Sequence, residues 1–255
     1  MASLSIVLIV KNEAGILDSA LSNLVWADEI IVVDGGSHDG TVEIAKKYTK
    51  LVFEYPDWQG YGVQRQRAQG HATGDWILML DADEQLTPEL CDEIKSVVSE
   101  NDQGKVYALP RLSWVFGRFI RHGGWYPDYV IRLYPRDRAA YGDEKVHEKL
   151  RFTRDMEVIK LKGDLLHYTY RDLEHYLVKS ASYAAAWAEQ RQARGRQASL
   201  TQGFLHGLTC FLRMYLLRLG FLDGRQGLLL AILSAHSTFV KYADLWVRRQ
   251  AKKLS

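Results

Sequence analysis

Two aspartates separated by one small residue, Asp81-Ala82-Asp83, follow a continuous apolar run that reads as a buried strand. Carboxylates this close repel each other and resist burial, so the pair makes chemical sense where a divalent cation bound to a diphosphate shares them. The same pattern occurs in ordinary polar turns before a helix, and Thr87-Pro88-Glu89 is a typical helix start. The other strand ends must decide between a metal site and a turn.

The elements that position this pair are predicted from the alternation of apolar runs and helix-like segments in the first 110 residues. Continuous apolar strands alternating with helices imply a parallel sheet covered on both faces. This is a nucleotide-binding α/β architecture, whose ligands lie beyond the carboxyl ends of the strands. The predicted strands are 5–10, 29–33, 51–53 and 76–80, and the predicted helices are 13–23, 41–48, 62–72 and 88–100.

Two further strand ends carry polar residues. Lys11-Asn12-Glu13 follows the first strand, and residues 34–41, beginning Asp34-Gly35-Gly36-Ser37, follow the second. Because the carboxyl ends of parallel strands share one sheet edge, these loops should converge with the aspartate pair. The two glycines permit a tight turn and close backbone approach, although Asp-Gly-Gly-Ser is also compatible with a turn that has no further role.

Residues 106–166 change to mixed short strands and loops rich in aromatic and basic side chains. This mixture suits a surface that stacks on sugar rings and pairs with phosphates. A half-exposed sheet with structural aromatics is the alternative. The side chains are Trp114, Trp125, Tyr126, Tyr129, Tyr134 and Tyr141, with Arg111, Arg118, Arg121, Arg132, Arg136 and Arg138.

The net charge of +2 conceals an asymmetry. Residues 191–255 contain eleven Lys and Arg against Asp223 and Asp244, a net +9, which leaves −7 for the first 190 residues. A basic tail suits an anionic surface. Nucleic-acid binding is disfavoured, because the basic residues lie in an apolar, helical tail rather than on a polar face.

Helical segments are predicted at 172–192, 204–222 and 227–240. The second contains Arg213 and Arg218 and the third is too short, so neither is predicted to span a membrane. Apolar residues at helical spacing, with basic residues between and beyond them, favour helices lying in a membrane interface. A helical hairpin packed on the rest of the chain or on a second copy is the alternative.

The cysteines and the N-terminal run bear on the compartment. Cys91 and Cys210 match no metal or redox spacing, so free thiols in a reducing compartment are expected. Residues 3–10 carry no basic leader or cleavage signal and read as a strand rather than a signal peptide. We therefore expect cytoplasmic residence.

Three segments, in their order and spacing, resemble glycosyltransferase family 2: Ile9-Val10-Lys11-Asn12-Glu13, Asp34-Gly35-Gly36-Ser37-His38-Asp39-Gly40-Thr41, and Ala72-Thr73-Gly74-Asp75-Trp76 leading into Asp81-Ala82-Asp83. Later segments resemble its bacterial lipopolysaccharide core β-1,4-glucosyltransferases: Gly124-Trp125-Tyr126-Pro127-Asp128, Val146-His147-Glu148, His167-Tyr168-Thr169-Tyr170 and Gly220-Phe221-Leu222-Asp223-Gly224. One departure is Arg65-Gln66-Arg67, where many members have Arg-Asn.

The resemblance implies a GT-A fold, a Rossmann-like, mostly parallel sheet with helices on both faces, in a catalytic domain of residues 1–195. Residues 1–110 would bind the nucleotide sugar, 111–170 would form the acceptor-side half, and 196–255 would be a basic amphipathic extension. It further implies transfer of glucose from UDP-glucose, with inversion, to an inner-core heptose of the lipid A-core oligosaccharide. The expected location is the cytoplasmic face of the bacterial inner membrane, where the extension meets anionic lipid.

The departing diphosphate calls for a hard divalent ion, Mn²⁺ or Mg²⁺. Asp83 is the expected direct ligand, and Asp81 is expected to contact ribose or act through water. His167 is the expected further ligand, with a purely structural histidine as the alternative, and an imidazole ligand favours Mn²⁺. The donor-binding set is Val10, Asn12, Glu13, Asp34, Arg65, Asp81, Ala82 and Asp83.

Single displacement requires a base on the face opposite the leaving group. Glu148 is the first candidate, with Asp143 and Asp128 in reserve, and a role for Glu148 as partner of His147 is the alternative. The expected acceptor-side residues are Trp125, Tyr126 and Arg132.

An alternative of a different class is a nucleotide-sugar-binding scaffold that docks on a membrane without turnover. Donor binding without product would distinguish it from an enzyme. The sequence leaves the hexose open, because discrimination among donors depends on a few hydroxyl contacts. The oligomeric state is open as well.

Overall fold

The computed structural model describes residues 2–142, 149–170 and 172–254. The chain divides into two compact units: unit 1 comprises Met1–Arg111 with Asp128–His167, and unit 2 comprises Leu112–Pro127 with Tyr168–Ser255. This division differs from the expected boundary at residue 195. Residues 112–127 and the helix before residue 195 group with the C-terminal part, because their apolar side chains pack there.

The first hundred residues contain every predicted strand and helix, with ends shifted by a few residues. The elements are β1 (Leu4–Val10), α1 (Ala14–Ser22), β2 (Glu29–Asp34), α2 (Thr41–Ala45), β3 (Val52–Glu54), α3 (Tyr61–Gly70), β4 (Trp76–Asp81), β5 (Glu84–Leu86) and α4 (Pro88–Glu100). Only β5 was not predicted, because three residues of mixed polarity carry no strand pattern.

The remaining elements are shorter strands followed by helices. The strands are β6 (Lys105–Val115), β7 (Arg118–Phe119), β8 (Asp128–Pro135), β9 (Ala139–Tyr141), β10 (Leu150–Phe152), β11 (Glu157–Lys160) and β12 (Leu165–Tyr170). The helices are α5 (Leu173–Ala193), α6 (Leu200–Leu212) and α7 (Gly224–Leu254). A π-helical turn at Arg213–Leu217 and a 3-10 turn at Gly220–Asp223 join α6 to α7.

The sheet of unit 1 is mixed. β1 lies between β2 and β4, parallel to both, and β3 extends the parallel part beyond β2. β8 then pairs antiparallel with β4 and with β6. The parallel strands form the expected nucleotide-binding half, and the antiparallel strands close it on one side.

Helices cover both faces of this sheet, which confirms the predicted α/β class with a C-terminal helical extension. β1 is buried along its whole length. Ile6 and Leu8 pack with side chains of α1 and α4, whereas Val7 and Ile9 pack on the other face with α3. Alternation of side chains along a strand explains why a fully apolar run needs cover on both faces.

Unit 2 is built on a close pair of helices, α6 and α7. A Cβ at Gly203 or Gly207 would come within 3.0 Å of Tyr242 or of the Ala235 carbonyl oxygen, so the two glycines let the helices approach. A separate cluster packs Val115 and Ile120 with side chains of α5 and α7. The helical hairpin predicted as an alternative is thus present within unit 2.

The helix α7 is longer than the predicted segment 227–240. Among the described residues, one helical stretch, Gly220–Gln250, is long and apolar enough to cross a membrane by length and composition alone. The prediction that this segment is too short to span therefore does not hold, because the helix continues well beyond the apolar run.

Candidate active site

Three strand ends meet at one edge of the sheet. The register pairs Val10 of β1 with Asp34 of β2, and Ile9 of β1 with Asp81 of β4. The loops after β1 and β2 and the aspartate pair after β4 therefore begin side by side. This is the convergence that the parallel arrangement predicts.

The loops after β1 and β2 are joined by hydrogen bonds. The Asn12 backbone N–H donates to the Ser37 hydroxyl at 2.8 Å, and the His38 N–H donates to the Asn12 side-chain oxygen at 2.9 Å. The Glu13 N–H donates to the Thr41 hydroxyl at 2.8 Å. Asn12 has a φ of 56°, a left-handed conformation that Asn tolerates. Asn12 and Glu13 thus lie at the predicted edge, held by the second loop.

Asp34 orders its own loop. It is 1% exposed, and its carboxylate accepts from the N–H groups of Gly36 at 2.8 Å and Ser37 at 2.9 Å and from the Ser37 hydroxyl. Val10 is buried too, and its carbonyl accepts from the Gly35 N–H at 2.8 Å. The indole of Trp58 lies against Gly35, where a Cβ would come within 2.8 Å of the ring. An aromatic plate at this edge was not predicted from the sequence.

Asp81 is held between two arginines. Its Oδ1 accepts from Arg65 of α3 at 2.6 Å, and its Oδ2 accepts from Arg132 of β8. Burial by itself raises the pKa of Asp81, but the charges and hydrogen bonds of Arg132 and Arg65 outweigh it and hold that pKa well below its ordinary value. Asp81 is therefore a carboxylate whose two oxygens are both engaged by protein cations.

Glu84 extends this cluster inward. It is 1% exposed; its Oε1 accepts from Arg132 at 2.7 Å, and its Oε2 accepts from the Asp81 backbone N–H at 3.0 Å. Arg111 lies 3.8 Å from Glu84 and bonds Asp128 at 2.5 Å. Glu84 thus ties the backbone at Asp81 to the arginine that binds the Asp81 carboxylate.

Three predicted site residues have partners in or beside this cluster. Arg132, expected on the acceptor side, is 6% exposed and lies in the same cluster as Asp81, because β8 pairs with β4 and aims this side chain at the aspartate loop. Arg65, expected in the donor-binding set, is engaged with Asp81. Asp128, a reserve base, is paired with Arg111.

Asp83 lies beside His167. The Asp83 Oδ2 is 3.3 Å from the His167 Nε2, and the two side chains are 29% and 12% exposed. The antiparallel pairing of β12 with β5 places His167 opposite Glu84, next to the aspartate loop. Ala82, between the two aspartates, is buried. The two residues predicted to share a metal are brought together across more than eighty positions of sequence.

Glu148 and Asp143 lie outside the described residues. Trp125 and Tyr126 belong to unit 2, where Trp125 packs edge-on against Tyr170 and the Arg121 guanidinium lies over the Tyr126 ring at 5.1 Å.

A family model for glycosyl transferase family 2 matches residues 5–152, more than half of the chain. The chain belongs to glycosyl transferase family 2.

Similar proteins match nearly the whole length of the chain. An uncharacterized glycosyltransferase of Rickettsia prowazekii (strain Madrid E) is 28% identical, over 96% of this chain and 87% of the relative. A lipopolysaccharide core biosynthesis glycosyltransferase, LpsC, of Rhizobium meliloti (strain 1021) is 26% identical, over 94% and 93%. The chain is therefore a glycosyltransferase.

The solved structures give the fold. The chain is similar to a mannosyltransferase, PcManGT, from Pyrobaculum calidifontis, solved in complex with GDP-Man and Mn²⁺. The superposition has a TM-score of 0.53 at 14% identity, and it covers 100% of this chain and 81% of the mannosyltransferase chain. At this identity the similarity establishes a GT-A-like architecture and nothing finer.

The carboxylate of Asp83 and the imidazole of His167 in this family 2 transferase fit a divalent ion carried by a diphosphate. Two ligands on one ion lie roughly 3 Å apart, close to the separation of Asp83 Oδ2 and His167 Nε2. No group of three His, Cys, Asp or Glu side chains converges within the described residues. The protein would then supply two ligands, and diphosphate oxygens and water the others, as is usual for ions of this kind.

The sequence interpretation missed one feature of the transferase's site: it placed Glu84 near the donor sugar and did not foresee its ion pair with Arg132. One signal was available. Arg132 interrupts the apolar run Val130–Tyr134, and a lone arginine in a buried strand requires a buried partner.

Proposed function

We propose that this protein transfers glucose from UDP-glucose to an inner-core heptose of lipopolysaccharide, with inversion and metal assistance. The observation that carries the proposal is the β4 end, where Asp81 is neutralised by two arginines and Asp83 faces His167. The relative from Rhizobium meliloti, named for lipopolysaccharide core biosynthesis, supports the acceptor class.

The two aspartates would have different roles. Arg65 and Arg132 occupy both oxygens of Asp81, so this carboxylate holds the loop in place. Asp83, two residues further along the chain, lies beside His167 instead. These two would hold Mn²⁺ or Mg²⁺, which when bound supplies positive charge to the departing diphosphate.

Nucleobase and ribose would lie over the first two strand ends, against the Asn12 and Glu13 backbone and beside Trp58. Hydrogen bonds between the loops after β1 and β2 hold this surface before the donor arrives, which lowers the entropic cost of binding. The donor sugar would then project past Asp83, towards the acceptor.

Inversion requires the acceptor hydroxyl to attack from the face opposite the diphosphate while a base takes its proton. We retain Glu148 in that role, with Asp143 as its alternative. A base in this position contributes on the order of 10²–10⁴-fold to the rate. Asp128 is the weaker candidate, because Arg111 engages it at 2.5 Å.

Unit 2 would dock the transferase at the cytoplasmic face of the inner membrane. Its helices expose large apolar side chains, and the segment 196–255 carries seven more positive than negative charges. Anionic lipid attracts such a segment, at about 1 kcal/mol per basic residue near the surface.

The test is release of UDP by the purified chain, with UDP-glucose and heptose-bearing lipooligosaccharide. Activity should stop with chelator and return with Mn²⁺ or Mg²⁺. Asp83→Ala should lose at least about 100-fold in kcat, whereas Asp92→Ala, an exposed aspartate of α4, should keep it. Full activity of Asp83→Ala with metal present would show that the metal assignment is wrong.

The same assay separates the scaffold alternative and other donors. A binding protein without turnover would bind UDP-glucose and form no product with any lipid-linked acceptor. A parallel screen with other nucleotide sugars would show whether the transferred hexose is glucose.

A further inference from the structure

Unit 2 contains a cleft whose arginines have no role in the proposed transfer reaction. It has a volume of about 390 Å³ and lies between the turn at Gly123-Gly124-Trp125 and one side of α6 with the π-helical turn after it. Arg213 and Arg218 line it, together with Trp125 and His206. The cleft is therefore cationic and aromatic.

The turn is shaped around one of these arginines. Gly124 has a φ of 82°, and a Cβ on it would lie 2.0 Å from Nη1 of Arg218, so only glycine lets the guanidinium rest there. The Gly123 N–H donates to the Arg218 carbonyl at 2.8 Å. The cleft wall and Arg218 thus form one unit.

A buried carboxylate binds the backbone just before this turn. Asp223 is 2% exposed and accepts from the His122 N–H at 2.8 Å and the Arg121 N–H at 3.3 Å, while its Oδ1 lies 3.1 Å from the His122 ring. Arg118 lies 4.0 Å away. Within the described residues, Asp223 makes no ion pair with Arg213 or Arg218.

Arg213 and Arg218 are exposed, and within the described residues neither guanidinium makes an ion pair or a hydrogen bond to a side chain. Two unpaired guanidinium groups at one cleft attract an anion, and their planar forks match phosphate oxygens in pairs. The cleft thus presents two cationic groups that could bind a phosphate.

The helix α6 presents two neighbouring stripes of side chains, one facing the cleft and one apolar. His206, Thr209 and Arg213 face the cleft at helical spacing. Exposed apolar side chains occupy a neighbouring stripe and continue past the end of the helix. These are Phe204, Leu205, Leu208, Leu212, Leu216, Leu217, Leu219, Phe221 and Leu222.

We propose that the cleft binds the phosphate of an anionic phospholipid headgroup while the apolar stripe of α6 enters the acyl boundary. An interfacial helix buries its apolar face about 5–10 Å into that boundary, which brings an adjoining cationic stripe to the level of the lipid phosphates. The inference rests on the membrane docking proposed above and specifies which residues recognise the lipid.

The test compares two double variants of equal charge. Arg213→Gln with Arg218→Gln removes the cleft arginines; Arg196→Gln with Arg249→Gln removes two exposed arginines of unit 2 outside it. Binding is measured to phosphatidylcholine vesicles with and without phosphatidylglycerol. The cleft variant should lose on the order of tenfold more affinity than its control for the anionic vesicles and match it on the neutral ones. Equal losses in the two variants would overturn the proposal.

Two further measurements distinguish loss of lipid binding from misfolding and from a site for soluble phosphate. Arg213→Gln alone, which leaves Arg218 on Gly124, should retain the wild-type circular dichroism spectrum and still lose more affinity than Arg249→Gln alone. Inorganic phosphate at millimolar concentration should displace little protein from anionic vesicles; complete displacement would identify a site for soluble phosphate instead and refute the lipid assignment.

The vesicle assay contains no donor or acceptor, so its result is independent of the transfer reaction. If anionic vesicles bind through the cleft but no sugar is transferred, the lipid site stands and the proposed function fails. If wild-type protein ignores anionic vesicles while transferring glucose to a soluble acceptor, the lipid site fails and the transferase stands.

Discussion

Replacement of Arg132 by Met should destabilise unit 1 strongly. The guanidinium binds Asp81 and donates to Glu84 at 2.7 Å, and the arginine side chain is only 8% exposed. Methionine keeps much of the volume, so the change removes charge rather than opening a cavity. Glu84 would remain as a carboxylate whose side chain has no contact with solvent.

The size of the loss follows from what each carboxylate keeps. Removing one partner of a buried ion pair costs about 3–5 kcal/mol, because the other charge is left uncompensated. Asp81 retains Arg65, and Glu84 retains the Asp81 N–H at 3.0 Å and Arg111 at 3.8 Å. We therefore expect the lower end, about 3 kcal/mol, in the free energy of unfolding.

Urea unfolding followed by circular dichroism at pH 7 measures this loss. The control is Arg138→Met, whose partner Asp155 is 64% exposed and whose loss should cost about 0–1 kcal/mol. Adding Glu84→Gln to Arg132→Met removes the stranded charge and should recover part of the stability. A loss no larger than that of the control, or a double variant whose losses simply add, would refute the ion-pair reasoning.

Three further predictions concern unit 1. The pKa of Asp81 is lower in the folded chain than its ordinary 3.8, so its charge stabilises the fold above that value, and this contribution disappears as pH falls below it. Asp81→Asn should therefore weaken the pH dependence of the free energy of unfolding below pH 3.8. An unchanged acid transition in this variant would contradict the assignment. Gly163→Ala should cost about 1–3 kcal/mol, because its Cβ would lie 2.5 Å from the Leu90 backbone, whereas Gly70→Ala, with nothing within 4 Å, should cost nothing; equal urea midpoints for the two would disprove the packing argument. Thr87→Ala should cost about 1 kcal/mol by removing the cap that accepts from the Leu90 N–H at 3.3 Å, and rescue by Thr87→Ser but not by Thr87→Val would identify the hydroxyl as the cause.

Local patterns were enough for the architecture and for the edge of the sheet that carries the site. Apolar runs of strand length alternating with helices predicted β1 to β4 and α1 to α4, and Thr87-Pro88 marked the start of α4. The aspartate pair was recognisable because both its spacing and its position after a strand are local. The extent of α7 was not, since the helix outlasts its apolar stretch.

The partners of the site residues were decided only by the tertiary structure. Asp81 meets Arg65 from sixteen positions away and Arg132 from fifty-one. No sequence period states which distant side chain will reach a carboxylate, because that depends on how α3 packs and on the register of β8 against β4. For the same reason residues 112–127 joined unit 2: their apolar side chains are covered by helices that follow them by more than fifty residues. Local pattern was therefore enough to place a pair of carboxylates at the end of β4, whereas the packing of α3, β8 and β12 pairs Asp81 with two arginines and brings Asp83 to His167.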